Sequence, residues 1–181
     1  MNKTIISPEE RVALAKRIHA NAVSKGFWDG SPSVYHCLML VITELSEAVE
    51  AHRKDHWADR ELFEIDGGDR EAFERYIKSS VEDELADTYI RLLDLSEHIL
   101  VMVFSEDEET SYIPYQNLSF TESIFYLTRI LSSDICDKSL IRRAVDYLDG
   151  FCLHLGIDLA WHVKAKVVYN EARPRLHGKK Y

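Results

Sequence analysis

Glu44-Leu45-Ser46-Glu47 and Glu84-Leu85-Ala86-Asp87 each place two carboxylates three residues apart. On a helix that spacing puts both side chains on one face. At roughly 100° per residue, Glu44 points along Cys37, Leu40, Val41, Ala48 and Ala51, in the middle of an apolar stripe, with Glu47 on its edge. Glu84 points along Ile77, Val81, Thr88 and Leu95, with Asp87 flanking it. The chain repeats the same spacing at Glu61/Glu64 and Glu71/Glu74, but in polar surroundings, so these two pairs read as solvated. Ionised carboxylates on an inward face are costly unless something compensates them. Four together repel and raise one another's pKa values.

A divalent cation answers both problems. Mg²⁺ takes an octahedron of hard oxygens, a few from carboxylates and the rest from water and phosphates; Mn²⁺ is its possible substitute. The competing reading is buried ion pairing, with Arg91, one turn beyond Asp87, as the nearest cation. Di-iron bundle proteins also use carboxylates on facing helices, but they need Glu-x-x-His pairs. Here the residue three after Glu47 is Glu50, and the residue three after Glu84 is Asp87, which favours a hard ion over iron.

Helices must carry these pairs. Gly and Pro are scarce, 7 and 4 of 181 residues, which argues for long regular elements. Ser7-Pro8-Glu9-Glu10 is a capping box opening a helix to about residue 23. Gly26-Phe27-Trp28-Asp29-Gly30 is a glycine-bracketed loop, and Ser31-Pro32 starts a second helix to about residue 54. Residues 55–69 read as polar loop with room for a helical turn. Asp69 caps a third helix over 70–103, and 105–118 is acidic and turn-rich. Ser119 with Glu122 opens a fourth helix, Asp137 caps a fifth over 138–155, and a sixth follows Gly156 from Asp158 to Ala172 before Pro174 stops it. The expected fold is one all-α domain, a helical bundle over 1–181.

Composition bounds the function. Hydrophobic residues at 46% and charged residues at 29% suit a globular protein. No apolar run is long enough for a membrane span, and the N-terminus has no secretory pattern. Cys37, Cys136 and Cys152 are distant from one another, as expected of free thiols in a reducing cytoplasm. A net charge of −9 disfavours a general nucleic-acid binder. The basic end (Lys164, Lys166, Arg173, Arg175, Lys179, Lys180) suits either a small anion or a solvated tail.

Together these residues resemble the MazG-like all-α nucleoside-triphosphate pyrophosphohydrolases, whose mark is ExxE on one helix and ExxD on the next. The resemblance rests on Glu44/Glu47, Glu84/Asp87, KGFWD at Lys25–Asp29 and KVVYNEARPRLHGKKY at Lys166–Tyr181. It covers about 12–100 and 158–181. Residues 105–155 match no part of the compact members and read as an inserted helical pair. The resemblance implies hydrolysis of a (deoxy)nucleoside triphosphate to monophosphate and pyrophosphate, with Mg²⁺ on Glu44, Glu47, Glu84 and Asp87. Glu44 and Glu47 are the catalytic carboxylates, with Glu47 at the stripe's edge taken as the water's base. Lys166, Asn170 and Arg173 share one helix face and suit phosphate and sugar; His177, Lys179 and Lys180 are weaker candidates.

Trp28, with Phe27, is placed to stack on a base or to plug the loop. Trp161 reads as core, and His36 and His52 as structural. A homodimer is expected, because few helices bury their apolar faces alone. The alternatives are hydrolysis of another nucleotide, such as a nucleoside diphosphate, or a non-catalytic nucleotide-binding or assembly module.

Overall fold

The computed structural model describes residues 6–101, 114–133 and 139–178. Asp137, Cys136, Lys179, Lys180 and most of the acidic stretch after residue 101 lie outside them. The described elements are α1 (Pro8–Ser24), α2 (Val34–Arg53), α3 (Arg60–Ile65), α4 (Arg70–Tyr76), α5 (Val81–His98), a 3₁₀ turn at Pro114–Asn117, α6 (Phe120–Leu131), α7 (Ser139–Leu155), α8 (Leu159–Glu171) and a 3₁₀ turn at Arg175–Gly178. The protein is all-α among the described residues. None of these helices is long and apolar enough to cross a membrane.

Most helix starts fall where capping chemistry put them. Ser7 accepts the Glu10 N–H, Asp69 the Ala72 N–H and Asp158 the Trp161 N–H. Ser119 and Glu122 form a reciprocal capping box. Two expectations need correction. The second helix starts at Val34, not at Pro32: Ser33 is its cap, while Ser31 adopts φ 47° and turns the chain first. The expected helix over 70–103 is two helices. Ser79 adopts φ 62°, which an α-helix cannot accommodate, and Ser80 restarts the chain by accepting the Asp83 N–H. The apolar pattern runs through this joint, so periodicity alone hides it.

Helix α5 is the axle. Val81, Leu85, Ala86, Tyr89, Leu92 and Leu93 are buried, and α1, α2, α7 and α8 all pack on it. That enclosure explains why polar residues on α5 have to find partners. Helices α6 and α7 pack on each other, α6 also on α2 and α7 on α5, through Phe120, Ile124, Leu127, Leu148 and Phe151. Helices α6 and α7, expected as an inserted pair, therefore share the main core. Gly150 lets Tyr115 close on α7, since a Cβ there would lie 2.6 Å from the phenol oxygen. Helices α3 and α4 form a smaller cluster with α8, where Phe73 stacks on Tyr169 at 4.5 Å and Phe63 meets Trp161 edge-on. Trp161 is thus a packing residue, as expected.

Helix α1 is tied to α7 by charge. The buried Arg11 donates to Asp149 at 2.6 Å and to Asp146 at 3.2 Å. Burial pushes Asp149 up to about 6, even with Arg11 beside it. An acid whose pKa is raised by folding contributes stability below its unfolded pKa and loses it as pH rises through the folded value. Arg11→Met removes the compensating charge, so the carboxyl rises further and its ionisation costs more. We expect a loss of about 3 kcal/mol, larger at pH 8 than at pH 5, in urea unfolding followed by circular dichroism. A deficit independent of pH would show that Asp149 does not depend on Arg11.

Candidate metal centre and adjoining cavity

Helix α2 carries Glu44 on its buried face, with Val41, Leu45 and Ala48, and leaves it 4% exposed. Helix α5 carries Glu84, 5% exposed. The two helices pack together, and ligand oxygens of Glu44, Glu47 and Glu84 lie within 4.8 Å of one another. Glu47 forms the outer, exposed edge of this triangle. The triangle joins residues 40 positions apart in the sequence.

Asp87 stands apart from the triangle. Its Oδ2 accepts from Lys166 Nζ at 2.8 Å, and the same ammonium donates to Asp83 Oδ2 at 2.7 Å. Lys166 is 3% exposed, so this member of the expected phosphate-facing row turns into α5 and pairs with carboxylates. Asp83 was not singled out from the sequence, although it lies four residues before Asp87 and therefore on the same helix face. It also accepts the Ser79 N–H, while its Oδ1 is buried without a partner.

The electrostatics are those of too many acids in a dry place. Burial, then Asp87 and Asp83, push Glu84 up to about 9. Burial also raises Glu44, and Arg91, donating from Nε to Oε1 at 2.6 Å, partly offsets it. Asp83 is pushed up to about 6 by burial against the pull of Lys166. For Lys166, burial opposes the charge, but Asp87 and then Asp83 outweigh it and keep the ammonium protonated. Ion pairing and metal binding are the two ways to compensate these acids. The structure contains ion pairs at Glu44 and Asp87, while Glu84 makes none among the described residues and is only weakly helped by Lys166.

The donor set suits a hard cation. Oxygens bound to Mg²⁺ at about 2.1 Å span at most about 4.2 Å. The triangle's oxygens lie within 4.8 Å of one another, so small side-chain turns would bring them to that span, and Glu47, at the exposed edge, has room for them.

Beside the triangle lies a cavity of about 560 Å³, which Glu44 and Asp87 both line. Arg91, Asn170 and Arg173 also line it, so two of the three expected α8-end residues face this space. Farther along are Trp28, Asp94 and His36. Asp94 Oδ1 accepts from the Trp28 indole at 3.1 Å and lies 2.7 Å from His19 Nδ1. His98 stacks on Trp28 at 3.9 Å and 15°. The indole is thus fixed on one face and at its nitrogen.

Residues 175–178 fold over the loop before α2. The Leu176 N–H donates to Lys25 O, Arg175 pairs with Asp29, and His177 meets Phe27 edge-on at 5.0 Å. Gly26 is required at this crossing: it has φ 82°, and a Cβ would lie 2.9 Å from Arg175 and Asp29 side-chain atoms. Burial and Arg173 push His177 down to about 4. His52, by contrast, stacks flat on Phe120 at 4.1 Å and belongs to the packing.

Comparison with known protein families, with characterised proteins and with solved structures finds no match to this chain. The functional reading therefore rests on the site itself.

Lys166→Met should strand Asp83 and Asp87 and cost about 3 kcal/mol. In chemical denaturation, adding Asp83→Asn should recover part of that loss, because the most buried stranded charge is then gone. Strictly additive losses would sever the proposed link between the two residues.

Proposed function

We propose that this chain is a Mg²⁺-dependent nucleoside-triphosphate pyrophosphohydrolase of the MazG-like all-α type, cleaving a (deoxy)nucleoside triphosphate to monophosphate and pyrophosphate. The observation that carries this reading is a triangle of carboxylates from two packed helices, which shares Glu44 with a cavity lined by arginines and a fixed indole. Acids alone would favour a metal-binding protein of any kind. The adjoining Arg91 and Arg173 add a place for phosphate oxygens, which Arg recognises by its planar fork. Trp28 adds a flat apolar surface at a distance from the acids, as a base joined to a triphosphate requires.

Glu44, Glu47 and Glu84 would hold Mg²⁺, with Asp87 at the edge of the same space. When bound, the cation supplies charge neutralisation for the triphosphate and a water of lowered pKa. The protein's residues do the rest. Arg91, Arg173 and Asn170 hold the phosphates and sugar. Trp28 fixes the base and so the distance of the phosphates from the acids. Lys166 braces Asp87 from behind. Glu47, the solvent-facing acid, accepts the proton of the attacking water on a carboxylate oxygen, and the P–O bond to the departing pyrophosphate breaks. Positioning supplies most of the catalysis. A homodimer belongs to this reading; Tyr35 and Met39 on α2 are exposed apolar side chains available to it.

A panel of ribo- and deoxynucleoside triphosphates and diphosphates with Mg²⁺ tests the reading by chromatography of products. Monophosphate with pyrophosphate is expected. Glu84→Gln should lower turnover by at least about a hundredfold, while Glu61→Gln on α3 should leave it unchanged. Orthophosphate from a diphosphate would move the assignment to another nucleotide hydrolase, and binding without turnover would move it to a non-catalytic module.

Mg²⁺ should also raise the melting temperature, since a ligand held by the folded state alone stabilises it. A melting temperature indifferent to both Mg²⁺ and chelator would remove the metal from the proposal.

A further inference from the structure

Arg91 holds a position that neither simple ion pairing nor simple phosphate binding explains. It sits on α5, one turn beyond Asp87, and bonds across to Glu44 on α2. Its carboxylate partner is 5% exposed in the side chain, yet Arg91 itself is 27% exposed and lines the cavity. The guanidinium thus stands at the border between the acidic triangle and the cavity. Glu44 belongs to both, as a vertex of the triangle and as a wall of the cavity.

We propose that Arg91 is an exchangeable counter-ion: it neutralises Glu44 while no divalent cation is held there, and moves to a substrate phosphate once a cation takes Glu44. This rests on the metal and triphosphate reading above. A buried carboxylate needs a positive partner at all times. A divalent cation at the triangle would compete with Arg91 for Glu44 Oε1 and would repel the guanidinium. The triphosphate that enters with the cation offers a planar-fork acceptor on the cavity side. Asp87 and Asp94, which also line the cavity, flank Arg91 at i−4 and i+3 on the same helix and keep its charge inside as it changes partner.

Arg91 therefore opposes the cation when it binds alone and favours it when the nucleotide is present. This makes the two bind cooperatively through one side chain, and coupling of that kind is reciprocal. The consequence is a pair of opposite effects, which a merely structural arginine would not produce.

The test is a titration of Mn²⁺, followed by its electron paramagnetic resonance signal, and of a non-hydrolysable α,β-imido deoxynucleoside triphosphate followed by calorimetry. Both are run on the full chain at one mildly alkaline pH. In Arg91→Met, Mn²⁺ alone should bind about tenfold tighter, and the analogue in the presence of Mn²⁺ about tenfold weaker or worse. Arg91→Lys keeps the charge and loses the fork, so its Mn²⁺ affinity should stay near wild type while the analogue still binds weakly.

Mn²⁺ affinity unchanged or lowered in Arg91→Met, with wild type binding Mn²⁺ normally, would overturn the exchange and leave the metal reading standing. Wild type that takes up no Mn²⁺ would overturn both. A melting curve of each variant establishes that it is folded before titration.

Discussion

Carboxylates held in a dry interior must be neutralised, and this requirement organises the molecule. Helix α5 is enclosed by α1, α2, α7 and α8, yet it carries Asp83, Glu84 and Asp87 within its first two turns. Each acid meets the cost differently. Asp83 and Asp87 share the ammonium of Lys166 from α8. Glu44, facing them from α2, takes the guanidinium of Arg91. Glu84 makes no ion pair among the described residues, feels Lys166 only at a distance, and is pushed up to about 9 by burial and its acidic neighbours. The ion pairs tie α5 to α2 and to α8, so they fix the relative placement of the helices that form the cavity. The compensation is weak as a source of stability, because burying charge costs about as much as pairing returns. Its value lies in placement.

The helices were largely legible in the sequence because capping chemistry is local. Ser7, Asp69, Ser119 and Asp158 each mark a real start. The break between α4 and α5 was not legible. It depends on Ser79 entering left-handed backbone, and hydrophobic spacing does not register that. Ser33 likewise displaced Ser31 as the cap of α2, since both are serines near a proline and only the turn geometry distinguishes them.

The site was legible to the extent that it follows from single-helix geometry. The inward placement of Glu44 and Glu84 came from angular position alone and holds. What lay beyond the sequence was the pairing across helices. Lys166 shares a face with Asn170 and Arg173, and face membership suggested a common ligand. The packing of α8 on α5 instead buries Lys166 while the other two reach the cavity. Asp83 escaped notice because it sits in a run of three acids, where position on the wheel decides which is buried. Asp94 and His98 escaped because their role depends on a loop tryptophan folding back onto the far end of α5.

The roof formed by residues 175–178 has a bearing on the order of events during synthesis. Leu176 and His177 both adopt left-handed backbone, at φ 48° and 50°, and contact Lys25 and Phe27, while the neighbouring Arg175 pairs with Asp29. Those partners leave the ribosome some 150 residues earlier. The paired acids of α2 and α5 can assemble as soon as those helices meet, but Lys166 and the roof arrive with the last helix. A chain whose last helix has yet to dock would have Asp83 and Asp87 without their lysine brace. Until Lys166 docks, these two acids lack the ammonium that pairs them in the finished fold, and cations in the surrounding solution can take its place.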